Sequence, residues 1–110
     1  MAQQLNLTLD AGVDFFARIS CFDVNSNPAD LTDYTAVSQM RAGYGGALVA
    51  SFVATPNGTL GTIDLFMDSI DTSTIAAGVY VYDLVIRNAL TGDSQRVAQG
   101  SVTVTAGVSV

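Results

Sequence analysis

Val79-Tyr80-Val81-Tyr82-Asp83-Leu84-Val85-Ile86-Arg87 is the stretch that decides the fold. Val, Ile and Tyr suit a pleated strand, and the period-two pattern sets Tyr82, Leu84 and Ile86 toward a core. Downstream, Ala89-Leu90-Thr91-Gly92-Asp93 is turn chemistry that sends the chain back through Ser94 to Thr105. Upstream, Leu60 to Met67 predicts another strand, with Ile63, Leu65 and Met67 opposing Thr62, Asp64 and Phe66. Asp68 to Ala77 is the helix candidate: one or two turns near residues 69–77, with Ser69 or Asp71 able to cap and Gly78 able to stop it.

Working outward, Leu48 to Val53 and Thr35 to Arg41 read as strands on either side of Gly43, Gly45 and Gly46, the phase of the second left open. Pro56-Asn57-Gly58 is a turn, and so is Asp23 to Pro28. Val13 to Phe22 is a strand with Phe15, Ala17, Ile19 and Cys21 on the core face, and Leu5, Leu7 and Leu9 give the first strand one dry face. About seven strands with turns at near-regular intervals predict an all-β immunoglobulin-like sandwich of two antiparallel sheets, one domain over residues 1–110. Phe15, Ile19, Leu65, Tyr82, Leu84 and Ile86 are its expected core.

Composition agrees. The 110 residues are 49% hydrophobic and 13% charged, which excludes a disordered chain. Glu and Lys, the usual dressing of a wet helix face, do not occur. Four Arg against ten Asp, a net charge of −6, argue against a basic nucleic-acid surface. No apolar run approaches a membrane span, and Met1 to Leu5 lacks the start of a secretion signal, so a soluble, unprocessed chain is expected. Cys21 closes no intramolecular disulfide and, without His, has no imidazole to activate it; it reads as a small core residue.

Three blocks go beyond pattern: Asp23-x-Asn25-x-Asn27-Pro28-Ala29-Asp30-Leu31-Thr32-x-Tyr34-Thr35 running into Gln39-Met40-Arg41; Gly78-x-Tyr80-x-Tyr82-Asp83-Leu84; and Gln99-Gly100-x-Val102-x-Val104. Together they resemble the immunoglobulin-like module of tailed-bacteriophage upper baseplate proteins and related small virion structural proteins, with Asp33 departing from the Gly often found there. The resemblance implies a non-enzymatic virion structural protein, assembled in the host cytoplasm, that decorates a capsid or adapts tail or baseplate components. Since the chain ends after one module, it is expected to be an accessory subunit, a homo-oligomer or present in repeated copies, whose partners are other virion subunits and neither nucleic acid nor membrane.

Some roles stand on the residues themselves. Tyr80, entering a strand after Gly78, can bond its hydroxyl back to the preceding loop and pin a corner, and Tyr34 can do so for the Asp30 loop. Gly100 within a strand signals a bulge or a close backbone approach.

Sharper chemistry fails on spacing. Asp23, Asn25 and Asn27 match the first ligands of a calcium loop, but Pro28 replaces its Gly and Tyr34 its closing Glu, so no metal is expected. Gly43-x-Gly45-Gly46 lacks the Lys of a phosphate loop, and nothing in the sequence calls for a cofactor. Asp64, Asp68, Asp71 and Asp83 show no spacing that enforces a catalytic pair, so no enzyme is expected. Asn6-Leu7-Thr8 and Asn57-Gly58-Thr59 are glycosylation triplets without a signal peptide.

Charge is missing from Ala42 to Ile63 and from Val97 to Val110. Such segments either fill the core or form sheet edges that pair with another chain. The candidate subunit contacts are therefore Tyr44 and the tail Ala106, Gly107, Val108, Ser109 and Val110, the tail serving as an added strand. The alternative is a carbohydrate- or protein-binding module of a cellular or secreted protein, with Tyr44 as the stacking ring.

Overall fold

The structure, a computed structural model, describes residues 3–22, 25, 27, 29–43 and 45–106. Eight strands follow in chain order: β1 (Gln3–Gln4), β2 (Leu7–Asp10), β3 (Phe15–Ser20), β4 (Tyr34–Arg41), β5 (Leu48–Pro56), β6 (Thr62–Met67), β7 (Gly78–Asn88) and β8 (Ser94–Thr105). A 3-10 turn, Gly58–Leu60, precedes β6, and a single helical turn, α1 (Ser69–Thr72), follows it. Among the described residues no helix is long and apolar enough to cross a membrane.

The strands form one connected sheet in the order β1-β8-β7-β4-β5-β6-β3, with β2 also on β8. It curls on itself because β5 changes partners along its length: Met40 of β4 faces Ala50, whereas Val53 faces Phe66 of β6. The closure is visible in three rings. Phe15 of β3 lies 5.4 Å from Phe52 of β5, and Phe52 meets Tyr82 of β7 edge-on at 6.2 Å. Strands far apart along the sheet therefore share one interior, in the manner of a β-sandwich.

Alternation fills that interior. Ile19, Ile63, Leu65, Met67, Tyr82, Leu84 and Ile86 are buried, as is Cys21, and Phe15 packs partly buried against them. The phase of β4 is settled by tertiary contact: Ser38 points inward and donates its hydroxyl to the Asp83 carbonyl at 2.7 Å, while Val37 stays 58% exposed.

Several sequence expectations change. The first strand is two, β1 and β2, and both run parallel to β8, Gln3 beside Ala98 and Leu7 beside Val102, so the pairing is not antiparallel throughout. The strand expected to begin at Val13 begins at Phe15, because the Val13 amide donates back to the Asp10 carbonyl in a turn. Leu60 belongs to the 3-10 turn rather than to β6. The helix is one turn and its cap is Asp68, whose carboxylate accepts from the Asp71 amide at 2.9 Å; Ser69 already has helical hydrogen bonding. The strands that the uncharged segments contain are not edges: β5 lies between β4 and β6, and β8 between β7 and the β1–β2 pair. Being uncharged is not the same as being buried there: Leu48, Val49 and Val53 of β5 are exposed.

Candidate functional site

On the outer face of β4, β7 and β8, Gln39 stands beside Asp83 and Arg41 beside Val81. Arg96 joins them only through a bulge. Ala98, Gly100, Val102 and Val104 all face inward, so strict alternation would bury Arg96 as well. The register between β7 and β8 shifts at Leu84/Val85, Val97 and Ala98 both turn inward, and Arg96 emerges outside. Its guanidinium then reaches the Asp83 carboxylate at 3.3 Å.

Above this face the Ala42–Ala47 connection arches as a tight hairpin, the Ala42 amide donating to the Ala47 carbonyl at 3.2 Å. Arg41 staples it, donating from Nη1 to the Gly46 carbonyl at 3.0 Å and from Nη2 to Gln39 Oε1 at 2.9 Å. The hairpin and strands enclose a hollow of about 280 Å³ lined by Gln39, Arg41, Gly43, Gly45, Val81, Asp83 and Arg96. Sequence reading missed this cluster, because the phase of β4 was open and the bulge conceals the side on which Arg96 falls. The guanidinium groups that line the hollow are engaged with Gly46, Gln39 and Asp83.

The corner residues take separate places. Tyr80 is half-buried and donates its hydroxyl to the Ala76 carbonyl at 2.6 Å, closing the connection from α1 to β7. Gly78 starts that strand, with the Tyr80 ring 3.8 Å from where a Cβ would stand. Tyr34 opens β4 at the other corner, where its amide donates to the Leu31 carbonyl at 3.0 Å and its ring lines a hollow with Phe22, Leu31 and Ile86. In the Asp30 loop itself, the Asp30 carboxylate accepts from the Thr32 amide and hydroxyl, which hold it below the usual carboxylate range.

A second tyrosine hydroxyl bond had no sequence signal. The Tyr82 hydroxyl, inside the core, donates to the Leu5 carbonyl at 2.9 Å, and burial pushes its pKa up to about 12. The same carbonyl lies so close over Gly100 that a Cβ there would approach it to 2.0 Å. Gly100 is thus the close approach, and the bulge sits at Val97–Ala98 instead.

The carboxylates considered for catalysis are dispersed. Asp64 pairs with Arg18 at 2.8 Å, which holds its carboxyl below the usual range; Asp68 caps α1, where Asp71 occupies the first turn; Asp83 pairs with Arg96. Among the described residues no group of three or more His, Cys, Asp or Glu side chains is placed to hold a metal ion. Burial raises the Cys21 thiol pKa. Asp23 lies outside the described residues, as do Tyr44, Gly107, Val108, Ser109 and Val110; Ala106 is exposed just beyond β8.

No curated protein matches this sequence. The crystal structure of InlP from Listeria monocytogenes is similar over 93% of this chain, with a TM-score of 0.52 at 17% identity, a likeness of fold alone. This chain spans 26% of that one. The family model described as LtfC-like, beta-sandwich domain matches residues 1–105, a span that takes in every strand of the curled sheet, and the chain belongs to that family.

Proposed function

We propose that the chain is a non-enzymatic structural subunit of a tailed-phage virion, an accessory module that binds other virion proteins by decorating a capsid or bridging tail or baseplate parts. The observation that carries this reading is a contrast on the surface. Three of the four arginines are spent locally, Arg18 on Asp64, Arg96 on Asp83, Arg41 on its own hairpin, while Phe16, Phe22, Val53, Leu60 and Val79 are each about 60% exposed or more. A molecule so arranged acts by contact. The baseplate resemblance supports it further: its blocks coincide with the Asp30 loop, the Tyr80 corner and the Gly100 approach, all framework positions. An immunoglobulin-like division into two sheets fits the same reading, with β5 as the strand shared by the β4 and β6 ladders.

Mass spectrometry of gradient-purified particles tests it. The chain is expected to band with the virion in stoichiometric amount, and its absence from intact particles overturns the proposal. The hollow beside Arg41 and Arg96 favours a second reading, carbohydrate binding, which a glycan array probed with the pure domain decides.

A further inference from the structure

The sheet ends in two strands that are finished differently. At one end β1 is two residues long and is separated from the four-residue β2 by Leu5 and Asn6, which leaves little for another strand to follow. At the other, β3 presents six residues whose register with β6 runs unbroken from Phe15↔Met67 to Ser20↔Thr62, with no proline and no bulge. Soluble proteins shorten, bend or charge their edges to prevent pairing. β3 carries one charge, Arg18, and Asp64 neutralises it at 2.8 Å.

The outward groups of that edge can be assigned. The Cys21 amide donates to the Gly61 carbonyl on the β6 side, whereas the Ser20 carbonyl accepts from Gln3 Nε2 on the opposite side. By antiparallel alternation, Phe16 and Arg18 also turn their N–H and C=O groups away from β6. Among the described residues no backbone hydrogen bond reaches those groups. An apolar row runs up to the same edge: Val53, Phe66 and Phe16 are register partners on the outer face, 61%, 38% and 59% exposed.

We propose that β3 pairs antiparallel with β3 of a second copy of this chain, about a two-fold axis at Ala17. This register is the self-complementary one. It hydrogen-bonds Phe16 to the partner's Arg18 and Arg18 to the partner's Phe16, placing each guanidinium across from an aromatic ring, so that the apolar row of one copy meets the Arg18–Asp64 pair of the other across the axis. A shift that centres on Arg18 sets like charges face to face and is disfavoured. The face is neutral in a chain of net charge −6, so two copies meet where they repel least. The inference stands apart from the virion reading, since it concerns what two copies do in dilute solution.

Sedimentation equilibrium of the full chain at micromolar concentration is expected to return twice the monomer mass. Phe16→Pro is expected to halve that mass with little change in Tm, because the Phe16 N–H lies outside the β6 ladder. Ala17→Cys in a Cys21→Ala background is expected to form an intermolecular disulfide on mild oxidation, since non-hydrogen-bonded partners stand roughly 4.5 Å apart at Cα, within disulfide reach. A monomeric wild type overturns the proposal and leaves the edge to a different chain; a dimer untouched by Phe16→Pro overturns it as well. Should Phe16→Pro fail to fold, the Ala17→Cys cross-link decides alone, and its absence sinks the pairing.

Discussion

Gly100 and Tyr82 both meet the Leu5 carbonyl oxygen, Gly100 by leaving room for it and Tyr82 by donating its hydroxyl. Gly100→Ala would put a methyl group 2.0 Å from that oxygen, with backbone rather than a flexible side chain obliged to yield. The expected cost is roughly 1 to 3 kcal/mol, read from chemical denaturation. A loss near zero would show that the Leu5–Asn6 bend moves freely. For Tyr82 the measurable consequence is alkaline. Its folded pKa of about 12 stands above the ordinary 10.0, so the folded state keeps a proton that the unfolded chain releases first. That contribution to stability is complete below about pH 10 and is lost as pH rises through 12. Denaturation midpoints measured across this window should fall for the wild type, and Tyr82→Phe should lack this part of the slope. The two residues were unequally legible. A glycine amid strand residues announces an unusual backbone contact, and Gly100 makes one; nothing local announces a hydroxyl bond to a residue 77 positions away.

Among the elements, β8 depends most on one irregularity. The bulge at Val97–Ala98 reverses the phase of everything before it, which keeps Arg96 in water beside Asp83 while Val97 and Ala98 both fill the core. Deleting Val97 restores strict alternation and drives Arg96 inward, an unpaired buried charge expected to cost about 3 kcal/mol or more. Val97→Ala keeps the residue count and is expected to cost less, since it removes two buried carbons and moves no charge. Comparing the two by thermal melting separates phase from volume, and equal losses would contradict the phase argument. Sequence periodicity found β8 as one run because its inward residues from Ala98 to Val104 alternate perfectly. It missed the bulge because Val97 is apolar on either phase. The β4 phase was open for the reverse reason: Ser38 is polar yet buried, satisfied by a carbonyl on β7. The location of α1 was legible in its Asp- and Ser-rich start, but its anchoring was not. Thr72, fully buried, donates its hydroxyl to the Val13 carbonyl, and Asp14 accepts from the Ser69 amide, both across the fold.

At the scale of the whole molecule, ten Asp against four Arg couple solubility and stability to acid in different ways. The net charge that keeps copies apart vanishes near pH 4.1, where the least solubility is expected. Folded stability should persist further. The carboxyls of Asp64, bonded by Arg18, and Asp30, bonded by Thr32, titrate below their ordinary 3.8, so their contribution is present above that value and is lost as pH falls through the folded pKa values. Tm followed from neutral pH downward should hold until about pH 4 and then fall, with Asp64→Asn starting lower and falling less; a Tm independent of pH would contradict both shifts. The sequence by itself determined that the chain is all-β and which residues of β3, β6 and β7 face the core, because period-two burial is a local property of neighbouring residues. Tertiary structure alone decided that β1 and β2 lie parallel to β8, that β5 passes from β4 to β6, and that β5 and β8 are central strands while β3 is an edge. Strand order depends on pairings between residues distant in the chain, whose free energy comes from a closed core that no local window contains.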